Sequence, residues 1–136
     1  IVFKSLQPWK NPRKVLFLRK VGSSVYDSIF EDVKQCLETW GLLGACKVNN
    51  SAYRIELPNG AQFIFKGLDN PEKIKSIKGI SDVIMEEASE FTLDDYTQLT
   101  LRLRDKKHPK KQIYLMFNPV SKVNWVYNAF FIFKIT

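Results

Sequence analysis

Residues 14–20, KVLFLRK, form a short apolar run bounded by Pro12 and Gly22. Its Val, Leu and Phe content predicts a buried strand. Ser23 and Ser24 then supply an N-cap, and Tyr26, Ile29, Phe30, Val33, Leu37 and Trp40 recur at three- and four-residue spacing. That period predicts an amphipathic helix over 24–40, ended by Gly41. Two alternating segments, Tyr53–Leu57 and Gln62–Lys66, flank Pro58, Asn59 and Gly60, which predicts a β-hairpin with glycine available for positive φ at the turn. Residues 69–80 read as a loop or short helix carrying Lys73, Lys75 and Lys78, and 81–87 as a strand that runs straight into Glu86 and Glu87. Thr92 and Asp95 form a capping pair that opens a helix over about 93–104. QIYLMF, 112–117, is another buried-type strand, stopped by Asn118 and Pro119, and 121–133 is most simply an aromatic-rich helix. The opening IVFKSLQPWK reads as the end of a helix stopped by Pro8; with the abrupt end inside NAFFIFKIT, it suggests a piece of something longer.

Strand, helix, hairpin, strand, helix, strand, helix is an α/β alternation. It predicts a mainly parallel sheet with flanking helices and a β-hairpin insertion. Ligands of such sheets sit beyond the carboxyl ends of the strands. That rule brings Arg19 and Lys20, Glu86 and Glu87, and Asn118 to one edge.

Composition narrows the function. The 136 residues are one domain's worth, and 45% hydrophobic content excludes disorder as the default. A net charge of +7 favours a polyanionic partner such as nucleic acid or nucleotide phosphate, although it also simply keeps a domain soluble. Cys36 and Cys46 lack CxxC spacing and are too few for a disulfide framework, and the single His108 excludes a His-rich metal site. A reducing, cytoplasmic setting fits, and no apolar run approaches the roughly 20 residues that span a bilayer.

An apolar strand ending in two acids is the Walker B arrangement of P-loop NTPases, in which the first acid holds Mg²⁺ through water and the second polarises the attacking water. Glu86 departs from the usual Asp. The plain alternative is a strand leaving the core with solvated acids. Asn118, one predicted strand further on, is placed as a γ-phosphate sensor is in additional-strand ATPases, or as a turn-forming Asn-Pro. No G-x-x-x-x-G-K-[ST] occurs in the chain, so either the cradle for the phosphates lies upstream of Ile1 or the ATPase reading fails. Arg102 and Arg104, two apart on the predicted helix, are candidates for a trans-acting finger or for surface ion pairs. Lys73, Lys75 and Lys78 are candidates for DNA backbone contact or simply solvated surface.

The blocks PRKVLFLRKVGSSVYDSIFEDV, LPNGAQFIFKGLDNPEKIKSIKGISDVIMEEASEFT, QLTLRLR and FNPVSKVNWVY, in that order along nearly the whole chain, resemble the ATPase region of the large terminase subunit of tailed bacteriophages and prophages. The resemblance implies a P-loop NTPase of the additional-strand type, with residues 1–136 as a partial ATPase domain lacking the P-loop strand and most of its helix. Residues 1–9 would then be the tail of that helix, and 12–136 the Walker B and coupling-motif core. It implies Glu86 as the metal-linked acid, Glu87 as the catalytic carboxylate and Asn118, within Phe117-Asn118-Pro119, as the coupling residue. Arg19 lies in a block common in the family, as a candidate phosphate-binding or trans-acting arginine beside Arg102 and Arg104. The implied activity is ATP hydrolysis coupled to packaging of double-stranded DNA into a procapsid, with ATP and Mg²⁺ as cofactors. The implied partners are the small terminase subunit, the portal protein and other copies in a homo-oligomeric ring, in the host cytoplasm and with no membrane. The nuclease domain of such subunits is absent from these residues, and the chain alone is expected to turn over little ATP. The competing expectation is a non-enzymatic basic DNA-binding or assembly module.

Overall fold

The structure is a computed structural model that describes residues 1–22, 28–69, 74–117 and 125–130, without the side chain of Asn128. The elements are α1 (Val2–Ser5), β1 (Lys14–Arg19), α2 (Ile29–Thr39), β2 (Lys47–Asn49), β3 (Arg54–Glu56), β4 (Gln62–Gly67), β5 (Asp82–Met85), α3 (Leu93–Thr100), β6 (Gln112–Leu115) and α4 (Trp125–Phe130). Among them lie single 3₁₀ turns at Leu43–Ala45 and Ala88–Glu90.

The strands form one six-stranded sheet in the order β2-β3-β4-β1-β5-β6. β4, β1, β5 and β6 run parallel, with Arg19 opposite Gly67, Leu18 opposite Met85, and Met85 opposite Leu115. β3 pairs antiparallel with β4, as the hairpin pattern predicts, and Gly60 turns between them at φ 91°. β2 adds a further antiparallel strand at the outer edge that the sequence pattern did not suggest.

Strand periodicity explains the layering. Val15 and Phe17 face a core shared with Phe63, Phe65, Ile84 and the α2 residues Phe30 and Leu37. Leu16 and Leu18 face the opposite core, with Ile64, Val83, Met85, the α3 residue Leu99 and the α4 residue Val126. Burial on both faces is why β1 and β5 read as continuous apolar runs. On the α2 side Phe17 stacks on Phe65 at 4.5 Å between ring centroids, and Phe30 meets Phe65 edge-on at 5.0 Å. β4 can approach the end of β1 because Gly67 has no Cβ: one there would collide with the Gly22 backbone.

At the amino ends of the strands, Arg13 is fully buried and donates from Nε and Nη2 to Asp82 Oδ1 at 3.0 and 2.7 Å. Its Nη1 and Nη2 also reach the carbonyls of Pro109 and Lys110. The Trp9 ring lies 4.6 Å from its guanidinium. Lys4 of α1 donates to the other oxygen of Asp82 at 2.5 Å.

Several boundaries differ from the sequence reading. β5 ends at Met85, so neither acid belongs to the strand, and α3 stops at Thr100 rather than 104. The Thr92 capping box is present, with Asp95 N–H donating to Thr92 Oγ1 and the Thr92 N–H to the Asp95 carboxylate. Ser23, Ser24 and Tyr26 lie outside the described residues, as do most of the flanks of the predicted 121–133 helix. Cys36 and Cys46 are free thiols. Among the described residues no helix is long and apolar enough to cross a membrane.

Candidate functional site

β1, β5 and β6 bring Arg19, Met85 and Leu115 to one rim, and the chain leaving β5 places Glu86 and Glu87 directly beyond it. The Glu86 N–H donates to Leu18 O at 2.9 Å, continuing the β1 ladder by one step. Glu87 then adopts φ 52° and ψ 54°, a left-handed conformation that costs a residue with a Cβ roughly 1–2 kcal/mol. The turn is locked from both sides: Ala88 N–H donates to Met116 O at 2.8 Å and Glu90 N–H to Glu87 O at 2.9 Å. Trp125 adds a bond from its indole N–H to Ala88 O at 3.1 Å. Because the backbone bends at Glu87, the two acids escape the strict up-and-down alternation that a flat strand would impose on neighbours.

The carboxylates differ in their surroundings. Glu86 Oε2 accepts from Ser28 Oγ at 3.4 Å, and the same hydroxyl accepts from Arg19 Nη1 at 3.3 Å. Partial burial pushes the Glu86 carboxyl above its ordinary 4.5, against the opposing pull of Arg19 and Ser28 and with smaller upward contributions from Asp32 and Glu87. Glu87 is half-buried, and its carboxylate has no hydrogen bond or ion pair among the described residues. One acid is thus held and the other is left available.

Arg19 and the two glutamates are brought together as the sequence suggests, whereas Asn118 lies outside the described residues. Phe117, the residue before it, packs against the α3-side core, immediately after the Met116 bonds to Met85 and Ala88. Arg102 and Arg104 fall beyond the end of α3, so helix phase does not relate them. Arg102 lines a separate cleft of about 310 Å³ with Lys75, Asp94, Asp95 and Gln98, while Arg104 is exposed. Neither contacts Glu86 or Glu87. The lysines do not form one track: Lys75 borders that cleft, the Lys78 carbonyl accepts from Lys14 Nζ near the amino ends of the strands, and Lys73 lies outside the described residues. Ser28 is the residue that sequence reasoning missed. A hydroxyl just ahead of Ile29 and Phe30 signals a helix start, but its side chain makes no cap bond and turns to Arg19 and Glu86 instead.

A family model for the phage terminase large subunit matches residues 1–134. The chain belongs to the phage terminase large subunit family. It is 36% identical over 133 residues to the PBSX phage terminase large subunit of Bacillus subtilis strain 168, covering 96% of this chain and 29% of that protein. It is 29% identical over 129 residues to the large terminase subunit of Bacillus phage SPP1, covering 88% of this chain and 31% of the relative. The chain therefore spans about a third of the length of these terminases. Its fold resembles the large terminase of a thermophilic bacteriophage, with a TM-score of 0.76 at 13% identity over 95% of this chain and 32% of that one. Structures of the same phage terminase in complex with ADP and with ATP-γ-S match with TM-scores of 0.73 and 0.71, at 13% and 14% identity, each covering 95% of this chain and 31% and 30% of theirs. In fold, the sheet that carries this rim is that of a large terminase.

Among the described residues no group of three or more His, Cys, Asp or Glu side chains is placed to hold a metal ion. Mg²⁺ is usually held by only one or two carboxylates together with waters and substrate phosphates, so a single carboxylate at the rim has the donor chemistry it would need. Nothing in the chain supplies the glycine-rich cradle that phosphates require.

Proposed function

We propose that this chain is the Walker B and coupling part of the ATPase domain of a terminase large subunit, the motor that drives viral double-stranded DNA into a procapsid at the expense of ATP. The observation that carries the reading is the acid pair at the carboxyl rim: Glu86 braced by Ser28 and Arg19, and Glu87 at a left-handed turn with no carboxylate partner among the described residues. Glu86 would hold Mg²⁺, which when bound neutralises charge developing on the phosphates. Glu87 would orient the attacking water and accept its proton at a carboxylate oxygen, a role that needs a free, ionised acid. Asn118, one residue past Phe117, would sense the outcome and pass it to the DNA-gripping parts of the subunit. The nucleotides named for the structures of the thermophilic phage terminase support an adenine nucleotide as the ligand. On this reading the partners are DNA, the small subunit, the portal and neighbouring copies in a ring, all in the host cytoplasm. The phosphate cradle would come from elsewhere in the subunit, so the chain by itself turns over little ATP.

Glu87→Gln in the large subunit that carries this chain tests the assignment. It should lower the hydrolysis rate by about 100-fold or more, the usual contribution of a positioned base, with ATP still bound. Hydrolysis at the parental rate would overturn the role of Glu87.

A further inference from the structure

Arg19 stands at the end of β1 with its side chain only 20% exposed. Its Nη1 donates to Ser28 Oγ, its Nη2 lies 4.0 Å from Glu90 Oε1, and its Nε is buried without a hydrogen-bond partner among the described residues. A guanidinium that served phosphates, in its own subunit or the next, would present its fork outward. This one is turned inward and straddles the acid turn, touching Glu86 through Ser28 on one side of Glu87 and facing Glu90 on the other. We propose that Arg19 and Ser28 are positioning residues that fix the Glu86 carboxylate and brace the Glu86–Glu90 turn from within the same subunit.

The physical need is plain. The β1 ladder fixes the Glu86 main chain through its bond to Leu18 O, but the side chain beyond it has three rotatable bonds and would otherwise sweep the rim. Asp32 and Glu87 add like charge nearby, which would drive an unheld Glu86 away from its place. A hydroxyl shared between the cation and the carboxylate holds it with one neutral, short side chain that itself has little freedom. Ser28 can do so because its position ahead of α2 anchors it to the helix end rather than to the sheet, so the relay ties α2, β1 and the acid turn together.

This inference rests on the ATPase reading and is tested in the same large subunit by measuring kcat, KM for ATP and affinity for a non-hydrolysed ATP analogue. Ser28→Ala and Arg19→Lys should lower kcat by about 10- to 100-fold, the range for losing a group that orients a functional ligand, with KM and analogue affinity within about twofold of the parent. Ser28→Thr, which keeps the hydroxyl, should restore kcat to within a few-fold, which separates positioning from general destabilisation. An unchanged kcat in Ser28→Ala overturns the proposal. So does a rise in KM with kcat kept, which would make Arg19 a phosphate ligand. Mixing Arg19→Ala with Glu87→Gln subunits gives a further outcome: recovered activity would show that Arg19 serves a neighbour, and none is expected. A parent with no turnover defeats the ATPase reading and this inference with it, a result distinct from an active parent insensitive to Ser28→Ala.

Discussion

The ion cluster at the amino ends of the strands makes the sharpest stability prediction. Arg13 and Asp82 are both fully buried, and Asp82 Oδ1 takes two bonds from the guanidinium and one from Ser81 Oγ at 2.7 Å. Arg13→Met removes the cation, leaves the Pro109 carbonyl without its donor and the Lys110 carbonyl with Lys4 alone, and leaves Asp82 with Lys4 and Ser81 alone. Breaking a buried pair in this way costs about 3–5 kcal/mol, a large share of the roughly 5–15 kcal/mol that holds a domain folded. With a urea slope of about 1–3 kcal/mol per molar, the unfolding midpoint should fall by roughly 2 M. Lys4→Met is the internal control: Lys4 is part-exposed and leaves the Arg13–Asp82 pair intact, so it should cost only about 1–2 kcal/mol. Arg13→Met combined with Asp82→Leu should recover much of the loss, because no buried charge is then stranded. Urea unfolding followed by tryptophan fluorescence reads these proteins together with the parent and the Asp82→Leu single variant. The reasoning fails if Arg13→Met shifts the midpoint no more than Lys4→Met, or if the double substitution costs the sum of the single ones.

Other expectations follow from single contacts. Glu86 sits above its ordinary 4.5, so the folded chain binds its proton more tightly than the unfolded chain does, and its charge destabilises the fold as pH rises past that value. Glu86→Gln should therefore be more stable than the parent at pH 7, with the gain vanishing below pH 4.5 in urea titrations run across pH. Asp95 behaves oppositely: burial pushes it up, but the Lys20 ammonium and the Thr92 N–H outweigh that and hold it below its ordinary 3.8. Asp95→Asn should cost about 1 kcal/mol at neutral pH, as a lost cap does, and the cost should fade as pH drops through and below 3.8. Gly67→Ala drives a Cβ into the Gly22 backbone and should destabilise by at least about 1–3 kcal/mol, checked by the same unfolding curves.

What the sequence revealed and what it withheld divide along physical lines. Apolar runs such as Val15–Leu18 and Val83–Met85 are legible because burial on both faces demands apolar side chains at every position. The parallel order and the shared rim follow from the alternation of elements, so Arg19 and Glu86 could be placed together before any coordinates. β2 was not legible: its Lys47, Val48 and Asn49 offer one half-buried apolar residue, and the strand exists only because β3 presents a free edge. The end of α3 was misjudged because Leu101 and Leu103 continue an apolar pattern past Thr100, where the backbone has already left the helix. Ser28 was missed because the chemistry that uses it is a tertiary contact, and a serine ahead of a helix looks locally like any cap.

The least legible feature is also the one with most bearing on function. Nothing in VIMEEASE announces a left-handed glutamate, since the sequence cues for that conformation are Gly and Asn. If the turn served the fold alone, Asn at position 87 would relieve strain at no loss, and the cost of keeping a glutamate there needs an explanation in what its carboxylate does. That argument yields a paired expectation. Glu87→Asn should stabilise the chain by about 0.5–1 kcal/mol in urea, since Asn visits this region more readily, while the large subunit that carries it loses hydrolysis as Glu87→Gln does. Gain of stability with loss of turnover at one residue is the signature of strain kept for a reaction. Loss of both would mean that the carboxylate is holding the fold, and the unpaired acid would no longer be the base.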